Sequence, residues 1–299
     1  MKFKVAGHIF QIRGIGDCMS VLERYGVSYG PFVYDGHGQA DEELLFDMEL
    51  SCDAVEWEGA EKVYSNDRDV EAGHIRTVVY RGAKGHYFEF SNPQGSQVNA
   101  RLAVSDDFRS ARLSLHGNDI DQWAVFNTAV NFCYLLSSAE RQTLLVHASC
   151  VSYRGKAYLF LGKSGTGKST HSRMWLNSLE GAELMNDDHP VIRISSNGTP
   201  VAYGSPWSGK TRCYKNVEAP VGGVVRISRA SYNKARRLSV IESYGSLITS
   251  CSGMTWEKKL ADGRDRSIQG LIRSVPCWVM ECLPDEDAAI VCSKAVVEG

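Results

Sequence analysis

The chain has 299 residues, 43% of them hydrophobic and 23% charged, with a formal net charge of −2. This is enough apolar material for a full core and for two domains or one elaborated one, and the near-neutral charge excludes a general nucleic-acid binder. The charge is unevenly spread: residues 1–146 hold 13 basic against 21 acidic side chains, and residues 147–299 hold 20 against 14, so the second half is the one suited to a polyanionic ligand.

Nine cysteines, odd in number and without a Cys-x-x-Cys pair or a recognisable signal peptide, read as reduced and mostly buried in a cytoplasmic protein. The longest uncharged run, Gln122–Ala139, includes Asn127, Thr128, Asn131, Ser137 and Ser138. It falls short of the ~20 predominantly apolar residues of a membrane span and reads as a buried helix, so no membrane is expected.

In chain order, strand signals at 2–12, 30–34, 43–50, 75–80, 85–90 and 111–115 are separated by Gly, Asn, Asp and Pro clusters, which predicts an antiparallel, β-rich N-terminal region over residues 1–118. The nine carboxylates between Asp41 and Glu61 are interleaved with Leu44, Phe46, Met48, Leu50, Val55 and Trp57, the pattern of a solvated strand face. Asp119 or Asp121 is placed to cap the uncharged helix, which serves over 119–142 as a bridge to a second domain at 143–299.

In that domain Leu144–Tyr153 and Lys156–Gly162 read as strands joined by the two-residue turn Arg154-Gly155, which would pair residues whose numbers sum to 309 and set His147 opposite Gly162. Then comes Gly162-Lys163-Ser164-Gly165-Thr166-Gly167-Lys168-Ser169, a full phosphate-loop pattern between an apolar strand and a helix running from Lys168 to Leu179, with Thr170 next in line. The glycines let backbone N–H groups converge on phosphate oxygens at the positive end of a helix. Lys168 supplies a mobile cation for the outer phosphates, and Ser169 a hydroxyl for Mg²⁺.

About 20 residues on, the short apolar strand before Asn186 ends in Asp187-Asp188-His189-Pro190. One acid there can hold Mg²⁺ and the other can accept the proton of an attacking hydroxyl, while His189 beside Pro190 reads as the end of the turn. Val191–Ile194 and Pro200–Tyr203 form a further hairpin, and the loop from Gly204 to Lys210 is of the kind that covers a ligand. Arg226, Arg229, Lys234, Arg236 and Arg237 face either phosphate or solvent; Cys277–Leu283 is a strand, and Pro284 to Asp287 turns and caps a last helix.

His147-Ala148-Ser149, the hairpin, Gly162 to Ser169 and Asn186-Asp187-Asp188 together resemble the catalytic domain of bacterial HPr kinase/phosphorylase, whose P-loop fold is related to that of the ATP-dependent phosphoenolpyruvate carboxykinases. The resemblance covers about residues 143–299. It implies an α/β domain of α+β character binding ATP and Mg²⁺, with Gly162, Ser164, Gly165, Thr166, Gly167, Lys168, Ser169 and Thr170 on the nucleotide. It further implies Ser169 and Asp188 on the metal, and Asp187 as base with His147 beside it and Lys168 assisting, the two acids being interchangeable in order. The Gly-Arg-Asn signature of true HPr kinases is absent, the nearest segment being Lys215-Asn216-Val217 onward, so the implied acceptor is a hydroxyl of another protein, a peptide or a small molecule. A carboxykinase-like enzyme is the rival, against which His189-Pro190-Val191 replaces the expected Glu-His-Gly. A non-catalytic ATP-sensing module is the alternative of a different class, and a homo-oligomer is compatible with the sequence without being required by it.

Overall fold

The computed structural model describes residues 1–14, 26–36, 43–51, 53–66, 75–116, 119–209 and 211–299. Cys18, Cys52 and Lys210, and the side chains of the expected caps Asp119 and Asp121, lie outside the described residues. The chain divides into two compact units, Met1–Ser137 and Ser138–Gly299.

The first unit is an eight-stranded sheet of β1 (Lys2–Val5), β2 (His8–Gly14), β3 (Leu44–Ser51), β4 (Glu61–Ser65), β5 (Arg76–Gly82), β6 (Gly85–Ser91), β7 (Val98–Ser105) and β8 (Ser110–Leu115), in the order β1-β2-β3-β8-β7-β6-β5-β4. It is mixed rather than antiparallel, because β3 runs parallel to both β2 and β8. Both connections are too long for a tight hairpin: residues 15–43 separate β2 from β3, and four strands intervene before β8. Residues 30–34 are not a strand either. The short helix α1 (Gly26–Tyr29) runs into a 3₁₀ turn at Gly30–Phe32, where Pro31 fits the first helical turn.

The uncharged run is helix α2 (Asp119–Ser138). Val125, Phe126, Ala129, Val130, Cys133 and Tyr134 recur at helical spacing and are buried, the Tyr134 hydroxyl donates to the Val5 carbonyl at 3.0 Å, and Phe132 packs on Phe88 and Phe90. The acidic strand face is neutralised by arginines, Asp47 by Arg13 at 2.9 Å and Glu49 by Arg112 at 3.3 Å.

The second unit is a sheet with helices on both faces. Strands β10 (Ala148–Tyr153), β11 (Lys156–Leu161), β12 (Glu183–Asp188), β15 (Glu218–Arg229) and β17 (Cys277–Cys282) lie in the order β12-β10-β11-β15-β17, and β11, β15 and β17 are parallel. Beyond β15 the sheet continues through β14 (Pro200–Tyr203) and β13 (Val191–Ile194) to β9 (Thr143–Leu145), while β16 (Lys234–Arg237) edges β17. Period-two alternation sends Leu159 and Leu161 to one face, with Leu247 of α4 (Val240–Ile248) and Ile268 and Leu271 of α5 (Lys258–Ser274). Tyr158 and Phe160 go to the other, with Trp175 of α3 (Lys168–Ser178) and Ala289 and Cys292 of α6 (Glu286–Glu298).

The β10–β11 hairpin has the register expected from its turn, Ala148 facing Leu161 and Tyr153 facing Lys156. Arg154 and Gly155 have φ of 49° and 74°, the twist of a type I′ turn. The run expected as one strand over 144–153 breaks at Val146-His147: Leu144 and Leu145 pair with β13, and the His147 N–H donates to the Ser250 carbonyl at 2.7 Å. That break leaves the His147 side chain out of the ladder. The seven described cysteines are free and buried, and burial pushes the Cys150 and Cys251 thiols up to about 12.

Candidate active site

Strand direction brings the motifs to one place. Because β10 is antiparallel to both β11 and β12, the ends of β11 and β12 and the start of β10 lie at the same end of the sheet. Asp188, Ala148, Leu161 and Arg226 form one row across four strands, with Ser149 and Asp187 paired one step inside it.

The glycine-rich loop leaves β11 at this row. Gly162, Gly165 and Gly167 have φ of 158°, 75° and 110°, which L side chains rarely adopt, and a Cβ on Gly162 would stand 2.4 Å from Thr166 Oγ1. Thr166 tightens the turn by donating its hydroxyl to the Lys163 carbonyl at 2.8 Å. Arg229, at the end of β15, donates to the Gly165 carbonyl. Gly167 then caps α3, whose first residues are Lys168, Ser169 and Thr170.

Lys168 folds back under the loop. Its Nζ lies 3.0 Å from the Gly162 carbonyl and 2.8 Å from His147 Nε2. An ammonium has only donors, so Nε2 accepts, and the neutral imidazole carries its proton on Nδ1, which donates to Asp188 Oδ1 at 3.1 Å. His189 Nδ1 meets the other Asp188 oxygen at 3.0 Å. Burial would raise the Asp188 carboxyl, but the hydrogen bonds from His147 and His189 outweigh it and hold the group well below the usual carboxylate range. Burial lowers Lys168 from the ordinary lysine value, an effect opposed by Asp188 and Asp187 and reinforced by Arg226.

The two adjacent acids are separated in role by their directions. Asp187 is buried and turns toward α3, where its Oδ1 accepts from the Ser169 hydroxyl at 2.9 Å; Asp188 turns to the histidines. Asp188 has φ of 142°, a conformation costing on the order of 1–3 kcal/mol that persists only where neighbours enforce it. The neighbour is the segment from Gly204 to Gly209. The Gly209 N–H donates to the Asp187 carbonyl at 2.6 Å, and buried Asn186 donates its amide to the carbonyls of Ser205 and Trp207 at 3.3 and 3.1 Å. Trp207, expected on a ligand-covering loop, is buried.

Among the described residues His147, Asp188 and His189 form the one cluster with donor atoms close enough, within 4.8 Å of one another, to hold a metal ion. Both Nδ1 atoms are already turned onto Asp188, the outer-layer arrangement of a positioned carboxylate. Ser169 and Asp187 offer the hard oxygen donors that Mg²⁺ selects. Arg226, which the sequence left between phosphate and solvent, donates to Ser246, Thr249 and Ser250 and faces Lys168 electrostatically. Its position depends on parallel pairing of β11 with β15, which nothing local in the sequence specifies.

No family model matches the chain, and no curated protein matches its sequence. Among the solved structures it matches is an HPr(Ser) kinase/phosphatase. That structure, from Coxiella burnetii, is 10% identical, and the overlap covers 52% of this chain and 88% of that one at a TM-score of 0.31. The likeness is distant, and the functional reading stands on the residues of this chain alone.

Proposed function

We propose that residues 143–299 are an ATP-dependent kinase that transfers the γ-phosphoryl group to a hydroxyl of a protein, a peptide or a small molecule. The observation that carries this reading is the chain Lys168–His147–Asp188 beside the pair Ser169–Asp187, at the mouth of one glycine-rich loop. A binding module has no need of an oriented imidazole with an acceptor nitrogen at its phosphate cation; a phosphotransferase does.

In this reading the N–H groups of Gly165, Thr166 and Gly167 and the start of α3 receive phosphate oxygens. Lys168 swings from the Gly162 carbonyl and His147 onto the outer phosphates, which frees His147 Nε2. The acceptor O–H then gives its proton to Nε2 as its oxygen bonds to the γ-phosphorus, and the bond from that phosphorus to the β-γ bridging oxygen breaks, releasing ADP. Asp188 holds the imidazole in the receptive tautomer and stabilises the imidazolium that forms, as the acid of a catalytic triad does. Ser169 and Asp187 would hold Mg²⁺, which neutralises phosphate charge. This departs from the roles that the family resemblance suggests: the metal passes from Asp188 to Asp187, on which the Ser169 hydroxyl lies, and the proton from Asp187 to His147. The protein is taken to act in the cytoplasm.

Titration of the purified protein with MgATP tests the assignment. Asp188→Asn is expected to bind MgATP like the wild type and to lose turnover, whereas Asp187→Asn is expected to need more Mg²⁺ for the same nucleotide affinity. If Asp188→Asn alone raises the Mg²⁺ requirement, the roles are the other way round.

A further inference from the structure

Arg226 is a half-buried cation that the proposed phosphate chemistry does not use. It stands in one row with Leu161 and Ala148. Val224, two residues before it, packs with Leu247 of α4, whereas Val225 packs with Trp175 of α3, so period-two alternation turns Arg226 to the α4 face of the sheet. The helix α3, whose first amides would receive the nucleotide phosphates, packs on the opposite face. Phosphoryl transfer sets the attacking and leaving oxygens roughly in line, on opposite sides of the phosphorus, so the α4 face is the acceptor's side.

The guanidinium is fixed by neutral groups only. Nε donates to Ser246 Oγ at 2.6 Å, and Nη2 donates to the Ser246 carbonyl, to Thr249 Oγ1 at 3.0 Å and to Ser250 Oγ at 3.1 Å. Among the described residues Nη1 has no hydrogen-bond partner. Burial lowers the arginine from its ordinary value and no carboxylate among the described residues acts against it, whereas Lys168 has Asp188 and Asp187. A guanidinium held in place with two donors open and no counter-ion suits an anion. Ser250 also ties this cation to the proposed base. Its carbonyl accepts from the His147 N–H at 2.7 Å while its hydroxyl accepts from Arg226, and the Arg226 charge reaches Lys168, whose Nζ lies 2.8 Å from His147 Nε2.

We infer that the phosphoryl acceptor carries an anionic group, a carboxylate or a phosphate, close to its hydroxyl, and that Arg226 binds this group and so selects the acceptor. The inference rests on the kinase reading and names the class of substrate that it takes. A small hydroxy acid and an acidic side chain beside a serine offer the same chemistry to Arg226.

Phosphoryl transfer from γ-labelled ATP by the full chain is measured with matched acceptors: D-glycerate against glyceramide, glycerol 3-phosphate against glycerol, and a serine peptide flanked by Glu against the same peptide flanked by Gln. Wild type is expected to use the charged member of at least one pair at a kcat/KM about ten- to hundredfold above the neutral one, the order of one hydrogen bond to a charged group. The pair that responds tells a small molecule from a peptide. Arg226→Gln is expected to bring the charged member to within about threefold of the neutral one, mainly through KM for the acceptor, with MgATP affinity within about twofold of wild type. Lost MgATP affinity would reveal a variant that folds poorly, and the wild-type pairs then decide alone. Charged and neutral members used equally by wild type would overturn the inference and leave the kinase standing. A charge preference that survives Arg226→Gln in a variant with normal MgATP affinity would do the same, as would label that reaches an extract component but no charged member. No transfer to any acceptor or extract component would overturn both readings.

Discussion

Lys168 is held by two carbonyls and an imidazole, a set of neutral acceptors that a phosphate outcompetes by charge. Removing the ammonium leaves the loop amides in place but strips the cation from the transferring group. Lys168→Ala is accordingly expected to lower phosphoryl transfer by at least the 10²–10³ range of a lost charge-stabilising donor, read as steady-state ATP turnover. His147→Gln removes the proton acceptor, and a loss on the order of 10²–10⁴ in turnover with little change in nucleotide affinity is expected. A turnover near wild type would assign the proton to another group.

His171 gives a pH signature at the same scale. Burial lowers it to about 4 from an unfolded value near 6.5, so between those pH values the unfolded chain binds the extra proton and stability falls as pH falls. From pH 7.5 to 5 the loss is about 2 kcal/mol. Denaturant midpoints of wild type and His171→Phe at the two pH values check it, the variant losing less.

At the scale of elements, what was legible in the sequence was what short-range geometry dictates. Arg154-Gly155 between two apolar runs fixed the β10–β11 register, and the glycine spacing with Lys168-Ser169 fixed a loop entering a helix. Pairing between distant segments was not legible. β3 sits between two parallel partners, and β9 departs from β10 at His147 to pair with β13, because long-range burial decides such neighbours.

Two element-level outcomes follow. Gly162→Ala forces a Cβ onto Thr166 Oγ1 and is expected to weaken nucleotide binding more than a substitution at Gly155, where a Cβ meets open space; parallel ATP titrations compare them. α4 begins with a capping box in which the Ser239 side chain accepts from the Glu242 N–H and Glu242 accepts from the Ser239 N–H. Ser239→Ala is expected to cost about 1 kcal/mol in denaturant unfolding. Because the last turn of α4 and the residues after it supply the Ser250 carbonyl to His147 and Ser246, Thr249 and Ser250 to Arg226, that loss should be accompanied by reduced turnover.

For the whole molecule, the uneven charge seen in the sequence maps onto two compact units, one with a carboxylate-rich sheet and one that carries Arg226 and Arg229 on β15 and Lys168 at the start of α3. All the chemistry described above lies in the second unit. The central claim, that this unit transfers phosphate to a hydroxyl, is tested most directly by incubating the full chain with γ-labelled ATP and Mg²⁺, alone and with cell extract, beside Lys168→Ala. The account predicts label on a specific acceptor with wild type only. Saturable ATP binding that Lys168→Ala abolishes, with no label transferred and no ATP consumed by wild type, would contradict it and make the protein a nucleotide-binding module.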